Sequence, residues 1–307
     1  MKRDGAYTEM GVEQAMTWIV GTPTMFGYGF GISDVRVTAG NGSGTDCLQK
    51  IHPIGRWIAA GFAGDVRIGF AMVDELQALL FSEDEHLACD PLLVAQEWPH
   101  DARQVFARFP PDARGNGCHL MLISTHPEEH TGNPLWARSY VHILRSPDFQ
   151  AEMVPVHTLG SIGCGDKYPP CRAAVETFSS DFKRRNLLMQ GEVGMQGGMA
   201  TMLGFDLTQL LLRTQPGGIS SHLQYCWVYR GEIIIKTNDY TQKGRWSIFE
   251  GGSGINRNRS ARDTSASRQG ALENGATAFG MPRLATTWED LVQILDAMGA
   301  TAEGCVA

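Results

Sequence analysis

The sequence predicts an α+β chain folded as a four-layer αββα sandwich. Three observations carry that expectation. Apolar residues between positions 18 and 62 follow strand-like patterns, with a clear period of two over Phe26–Ser33. From Asp65 the period lengthens to that of a helix, and strands return at His119. Two more helical stretches and a hairpin complete the order, which two sheets with a helix layer outside each satisfy.

The elements follow from local patterns. Trp18–Thr22 and Phe26–Ser33 read as strands split by Pro23. In the second, Phe26, Tyr28, Phe30 and Ile32 alternate with Gly27, Gly29 and Gly31, and glycine there suits close approach of another backbone. Gly40–Gly44 reads as a loop, and Cys47–Ile54 with Trp57–Phe62 as a second strand pair. Asp65 caps a helix whose broad apolar face carries Val66, Ile68, Gly69, Met72, Val73, Leu76, Leu79 and Leu80. Pro91–Phe109 is a second helix, with Pro99 inside it. His119–Ser124, Ala137–Leu144, Met153–Val156 and Ser161–Gly163 are strands, and Pro170–Arg185 and Met195–Arg213 are helices. Ser221–Tyr229 and Glu232–Thr237 form a hairpin around Arg230-Gly231.

This order divides the chain into three parts. Residues 1–16 are polar and aperiodic, and read as a leader, a propeptide or a misplaced translation start. Residues 17–245 form one domain. Residues 246–307 are a flexible linker, rich in Gly, Ser, Asn and Arg, followed by an amphipathic helix over Thr286–Met298. Thr287 is the N-cap of that helix and Gly299 its stop, and it docks on a neighbour or on the body of the chain.

Composition narrows the function classes. Hydrophobic residues make up 43% of the 307, ample for a core, and the net charge of −7 argues against a nucleic-acid or anionic-membrane partner. No apolar run reaches the length of a membrane span. Seven cysteines, an odd count at irregular spacing, fit reduced thiols and a cytoplasmic location.

The chemistry is concentrated in two stretches, TWIVGTPTMFGYGFGISDVRVT and KIHPIGRWIAAGFAG. Thr17 follows Met16, so removal of that methionine exposes a free N-terminal threonine. A threonine hydroxyl needs a base within reach, and an N-terminal threonine carries one in its own α-amine. Asp34 and Lys50, sixteen residues apart, are an acid/base pair placed to tune that amine. Gly64 ends an apolar strand just before a helix start, where a backbone N–H faces a developing oxyanion well.

Those residues carry a resemblance. The chain resembles the proteasome β-type branch of the N-terminal nucleophile hydrolases, including the simpler bacterial proteasome-related peptidases. Thr17-Trp18-Ile19-Val20 is similar to the family's threonine start, and Asp34-Val35-Arg36-Val37-Thr38 to its D-x-R-x-T stretch. Lys50-Ile51 is similar to its catalytic lysine segment, and Ala60-Gly61-Phe62-Ala63-Gly64 to its oxyanion-hole turn.

The resemblance implies a four-layer fold over about Thr17–Asn238 and a threonine peptidase without metal or organic cofactor. It implies Thr17, Asp34 and Lys50 as catalytic groups and the Gly64 amide as oxyanion donor. Arg36 would support the site, Thr38 would bind substrate backbone, and Phe62 would line the pocket beside the scissile bond. It further implies a closed homo-oligomeric ring acting on peptides or unfolded protein, and is compatible with an ATPase partner.

Three positions depart from the family pattern. Gly163-Cys164-Gly165 puts a thiol where the family has a serine, and Arg213 and Pro216 replace the aspartate and serine of a D-x-x-S-G-G motif unless Ser220 or Ser221 substitutes. Two other readings therefore stand beside the peptidase: a catalytically weakened structural or assembly subunit, and an amidase acting on a small amide. Three further patterns lack their structural context. His126–His130 matches H-x-x-E-H but sits beside Pro127 and Pro134, which fits a loop. The spaced glycines at 27, 29 and 31 lack the following helix of a dinucleotide fold, and Cys164 and Cys171 have no second pair to complete a zinc site.

Overall fold

A computed structural model describes residues 17–24, 28–39, 43–80, 90–126, 138–156, 158–188, 206–214, 218–229, 231–239, 247–249, 284–302 and 305–306. The architecture is mixed α and β, with antiparallel sheets. The strands, in chain order, are β1 (Ile19–Pro23), β2 (Tyr28–Asp34), β3 (Arg36–Thr38), β4 (Gly44–Asp46), β5 (Ile51–Pro53), β6 (Ile58–Gly64), β7 (Cys118–Thr125), β8 (Ser139–Arg145), β9 (Ala151–Met153), β10 (Gly160–Ile162), β11 (Leu223–Tyr229), β12 (Glu232–Asp239) and β13 (Ser247–Phe249). The helices are α1 (Val66–Leu80), α2 (Pro91–Glu97), α3 (Pro99–Ala107), α4 (Pro111–Gly115), α5 (Pro169–Leu188), α6 (206–214) and α7 (Trp288–Ala297).

One sheet has the order β10-β1-β2-β11-β12-β13, a second β5-β6-β7-β8-β9, and β3-β4 form a separate ribbon. The alternation of side chains along the strands decides which face meets which layer. Ile19, Ile162, Cys226, Val228, Ile233 and Ile235 of the first sheet pack on Ala59, Ala63, Met121, Ile123, Val141 and Ile143 of the second in one buried cluster. The opposite face of the first sheet, through Trp18, Val20, Phe30, Ile32 and Tyr225, packs on Cys171 of α5 and on Leu207 and Leu211 of α6. The opposite face of the second sheet, through Ile58, Ala60, Phe62, Leu120 and Leu122, packs on α1, α3 and α7.

The glycines of β2 serve the contact between sheets. A Cβ on Gly29 or Gly31 would run into the side chain of Ile123 on β7, so the missing side chains admit that residue. The close approach is thus chiefly to a side chain.

Helix boundaries follow the capping signals. Asp65 Oδ1 accepts from the Ile68 N–H at 3.0 Å, and the Thr287 hydroxyl accepts from the Asp290 N–H at 3.1 Å, each supplying an orphan amide of the first turn. The stretch expected to be one helix over Pro91–Phe109 is two, α2 and α3, because Pro99 lacks the N–H to continue the first and opens the second.

Two local readings are corrected. Gly44 is not in a loop but starts β4, which pairs with β3 in the register Arg36↔Asp46. Ser247–Phe249, assigned to a flexible linker, is a strand on the edge of β12. Residues 1–16, 195–205, 215–217 and 250–283, which include Met16, Pro216 and most of the linker, lie outside the described residues. The helix at 288–297 docks on the body of the chain: Leu291 and Leu295 are buried against α1 and the second sheet. No helix among the described residues is long and apolar enough to cross a membrane.

Candidate active site

Strand pairing brings Thr17, Asp34 and Lys50 together. β1 and β2 are antiparallel with Ile19 opposite Ser33, which leaves the residues just before β1 beside the end of β2. The Asp34 N–H donates to the Trp18 carbonyl at 3.2 Å, and the Trp18 N–H donates to Asp34 Oδ2 at 2.8 Å. Lys50 enters from the start of β5 in the facing sheet. Its ammonium lies 2.9 Å from both Asp34 oxygens and 3.2 Å from Thr17 Oγ1. All three residues are buried, with Lys50 at 0% exposure.

The donor and acceptor count closes around the pair. A protonated lysine has three N–H donors, and these three contacts use them. Asp34 also accepts from the Arg36 N–H at 2.9 Å, so its carboxylate faces donors throughout. Burial opposes both charges. It raises the Asp34 carboxyl above its ordinary value, against the pull of the Lys50 ammonium and the Trp18 and Arg36 amides. It lowers Lys50, against the pull of Asp34. The Lys50 ammonium, held by Asp34, sits on the Thr17 hydroxyl.

Gly163 shapes the surroundings of Thr17, and Gly64 closes β6. Gly163 has φ +95°, and a Cβ there would run into the Thr17 carbonyl oxygen. Two residues on, the Gly165 N–H donates to that same oxygen at 3.1 Å. The turn that starts at Cys164 therefore clamps the Thr17 backbone, and the indole N–H of Trp18 anchors it to Ser161 Oγ at 3.0 Å. Gly64 has φ +109° and lies against the Gly117 carbonyl, which a side chain would strike. The next residue, Asp65, donates its N–H to that carbonyl at 2.9 Å, so the end of β6 is held by β7.

The remaining sequence candidates are distributed as follows. Arg36 reaches Asp34 only through its backbone, while its Nε pairs with Asp46 Oδ1 at 2.7 Å. Thr38 is buried, and its Oγ1 has no hydrogen-bond partner among the described residues. Phe62 is fully buried, stacked on His52 at 5.7 Å and edge-on to Phe70 at 5.3 Å, so it is a core residue here. Cys164 is half-buried at the head of the clamping turn, and Arg213 is exposed on α6. Ser220 donates to Asp46 Oδ2 at 2.6 Å. His126 lies 3.6 Å from Asp90, the rest of its motif falls outside the described residues, and no metal-ligating cluster occurs among the described residues.

Sequence reasoning missed two groups. Gln224, buried on β11, accepts at its Oε1 from Lys50 N (3.2 Å), Ile51 N (3.0 Å) and Ser33 Oγ (3.2 Å). It ties the backbone of Lys50 to the sheet that carries Asp34. Its signal was a lone glutamine inside the apolar strand LQYCWVY. The second group is Asp46 with His222, whose Nδ1 lies 2.9 Å from Oδ2. Burial would raise the Asp46 carboxyl, but His222, Arg36 and Ser220 outweigh it and hold it well below the usual range.

A groove with a volume of about 510 Å³ lies elsewhere, between α2, α3 and Gln150–Ala151. It contains none of the residues around Thr17. No protein-family model matches this chain, and no curated protein matches it.

Proposed function

We propose that the two packed sheets and their helix layers form the four-layer αββα sandwich of the N-terminal nucleophile hydrolases, and that the chain is a threonine-type endopeptidase. The observation that carries this reading is the buried run from hydroxyl to amine to carboxylate, Thr17 Oγ1 to Lys50 Nζ at 3.2 Å and Lys50 Nζ to Asp34 at 2.9 Å. Burying an ion pair is costly and contributes little net stability, so its presence beside a hydroxyl favours a chemical role.

In this reading, the α-amine of a matured Thr17 accepts the hydroxyl proton, through water, as Oγ attacks the peptide carbonyl. Lys50 disfavours protonation of that amine beforehand, and Asp34 fixes Lys50 in place. The Gly64 N–H receives the oxyanion of the tetrahedral intermediate. The amine returns its proton to the leaving nitrogen, an ester on Thr17 remains, and water hydrolyses it to regenerate the hydroxyl. A homo-oligomeric ring enclosing the site accompanies this reading, as the resemblance implies. One observation favours a weakened subunit instead: the turn that clamps Thr17 begins with the Cys164 thiol, a poorer hydrogen-bonding group than a hydroxyl.

Intact mass and N-terminal sequencing of protein from its native source test the peptidase reading. A chain beginning at Thr17 is expected. A chain that keeps residues 1–16 leaves Thr17 without its amine and overturns the mechanism.

A further inference from the structure

We propose that residues 305–306 of this chain are a tethered, self-inhibiting occupant of the slot between β3 and the turn from β6 into α1, displaced when an extended peptide substrate binds there. The inference rests on the peptidase reading above.

Val306 is paired antiparallel on both sides, with Thr38 and with Asp65. The Thr38 N–H donates to the Val306 carbonyl and the Val306 N–H to the Thr38 carbonyl, each at 3.0 Å. On the opposite wall, the Val66 N–H donates to the Cys305 carbonyl at 3.2 Å. A residue held on both flanks by backbone alone is a strand added to a gap between strands, a mode that accepts peptides of many sequences.

Both walls are rooted in the elements that build the site. Thr38 lies on the strand whose Arg36 N–H binds Asp34, and Asp65 directly follows Gly64. Ala63, one residue earlier, stands against Gly163, the residue that packs on the Thr17 carbonyl. Cys305 is buried with Val37, Leu48, Phe62 and Val66 in one apolar cluster. The substrate class that fits is an extended peptide with a small apolar side chain at the place of Cys305. The occupant hangs from α7 by a short tether through the buried Ala302, and a short tether holds a segment at an effective concentration near ~1 mM.

The test is fluorescence anisotropy with a labelled octapeptide of the sequence Ala300–Ala307. It is titrated into the full chain, into Val306→Pro and into a chain ending at Thr301. Proline removes the N–H that bonds the Thr38 carbonyl. Both variants are expected to bind the peptide at least about tenfold more tightly than the full chain. Equal binding by all three overturns the inference.

Covalent labelling of Thr17 by a β-lactone separates the two readings. Tighter peptide binding by the variants without any labelling keeps the tethered occupant and rejects the peptidase. Labelling at equal rates in all three chains, with no gain in peptide binding, keeps the peptidase and rejects the tethered occupant. Hydrogen exchange on the unmodified chain covers misfolding of the variants. Excess octapeptide is expected to speed exchange at Cys305 and Val306 several-fold, and unchanged exchange overturns the inference.

Discussion

Separating the two members of the buried ion pair has consequences of opposite sign with pH. Lys50 and Asp34 have side-chain exposures of 0% and 0%, so solvent screening does not discount their interaction. Lys50→Met keeps volume and removes the charge, leaving the Asp34 carboxylate with two backbone N–H donors and no counter-charge. Breaking a buried pair in this way costs about 3–5 kcal/mol at pH 7.

The lone carboxyl then has a folded-state pKa above its unfolded value. Its stability contribution is full below the unfolded pKa near ~4 and is lost as pH rises through the folded value, so the deficit of Lys50→Met shrinks as pH falls. Asp34→Asn does the reverse. It strands a buried ammonium whose folded pKa lies below its unfolded value near ~10, so stability recovers as pH rises toward that value. Urea denaturation of wild type and both variants at pH 5.5, 7 and 9 measures this, each variant read against wild type at the same pH. Deficits under about 1 kcal/mol, or deficits that move with pH in the same direction, refute the buried pair.

Four further outcomes are expected. His52 is buried between Phe62 and Phe70, and its pKa is pushed down to about 4 by burial. Below the unfolded value near ~6.5 the unfolded chain binds the extra proton, so His52 alone removes about 2 kcal/mol of stability between pH 7 and pH 5. His52→Phe is expected to abolish that part of the acid sensitivity in urea titrations. Gly163→Ala costs about 1–3 kcal/mol for its glycine-only backbone conformation, and also displaces the Thr17 carbonyl, so β-lactone labelling falls along with the melting temperature. Gln224→Leu leaves the Lys50 and Ile51 amides without their acceptor, costs about 1–3 kcal/mol, and slows peptide hydrolysis by misplacing Lys50. Lys50→Met in a matured chain lowers kcat/KM toward a fluorogenic peptide by about 10²–10⁴.

The fold was legible where local chemistry speaks for itself. The Tyr/Phe/Ile–Gly alternation of β2 and the Asp65 and Thr287 caps each marked an element that the structure contains. The ribbon of β3 and β4 was hidden because its second strand opens at Gly44, inside a run of Gly, Asn and Ser that reads as a loop. Thr17, Asp34 and Lys50 were legible as candidates from their residue types, but their meeting was not legible from spacing, since Lys50 enters from the facing sheet. The role of Gln224 was not legible, since a lone glutamine in an apolar strand does not reveal that its partners are backbone amides more than 170 residues away. Nor was the seat of Val306, because backbone pairing with Thr38 makes no demand on side-chain type.

The most direct test of the central claim is mass spectrometry of a chain verified to begin at Thr17 after treatment with a β-lactone. The account predicts one ester adduct on Thr17, lost in Lys50→Met and in Asp34→Asn. No adduct on Thr17, or an adduct that forms at the same rate without Lys50, would contradict it.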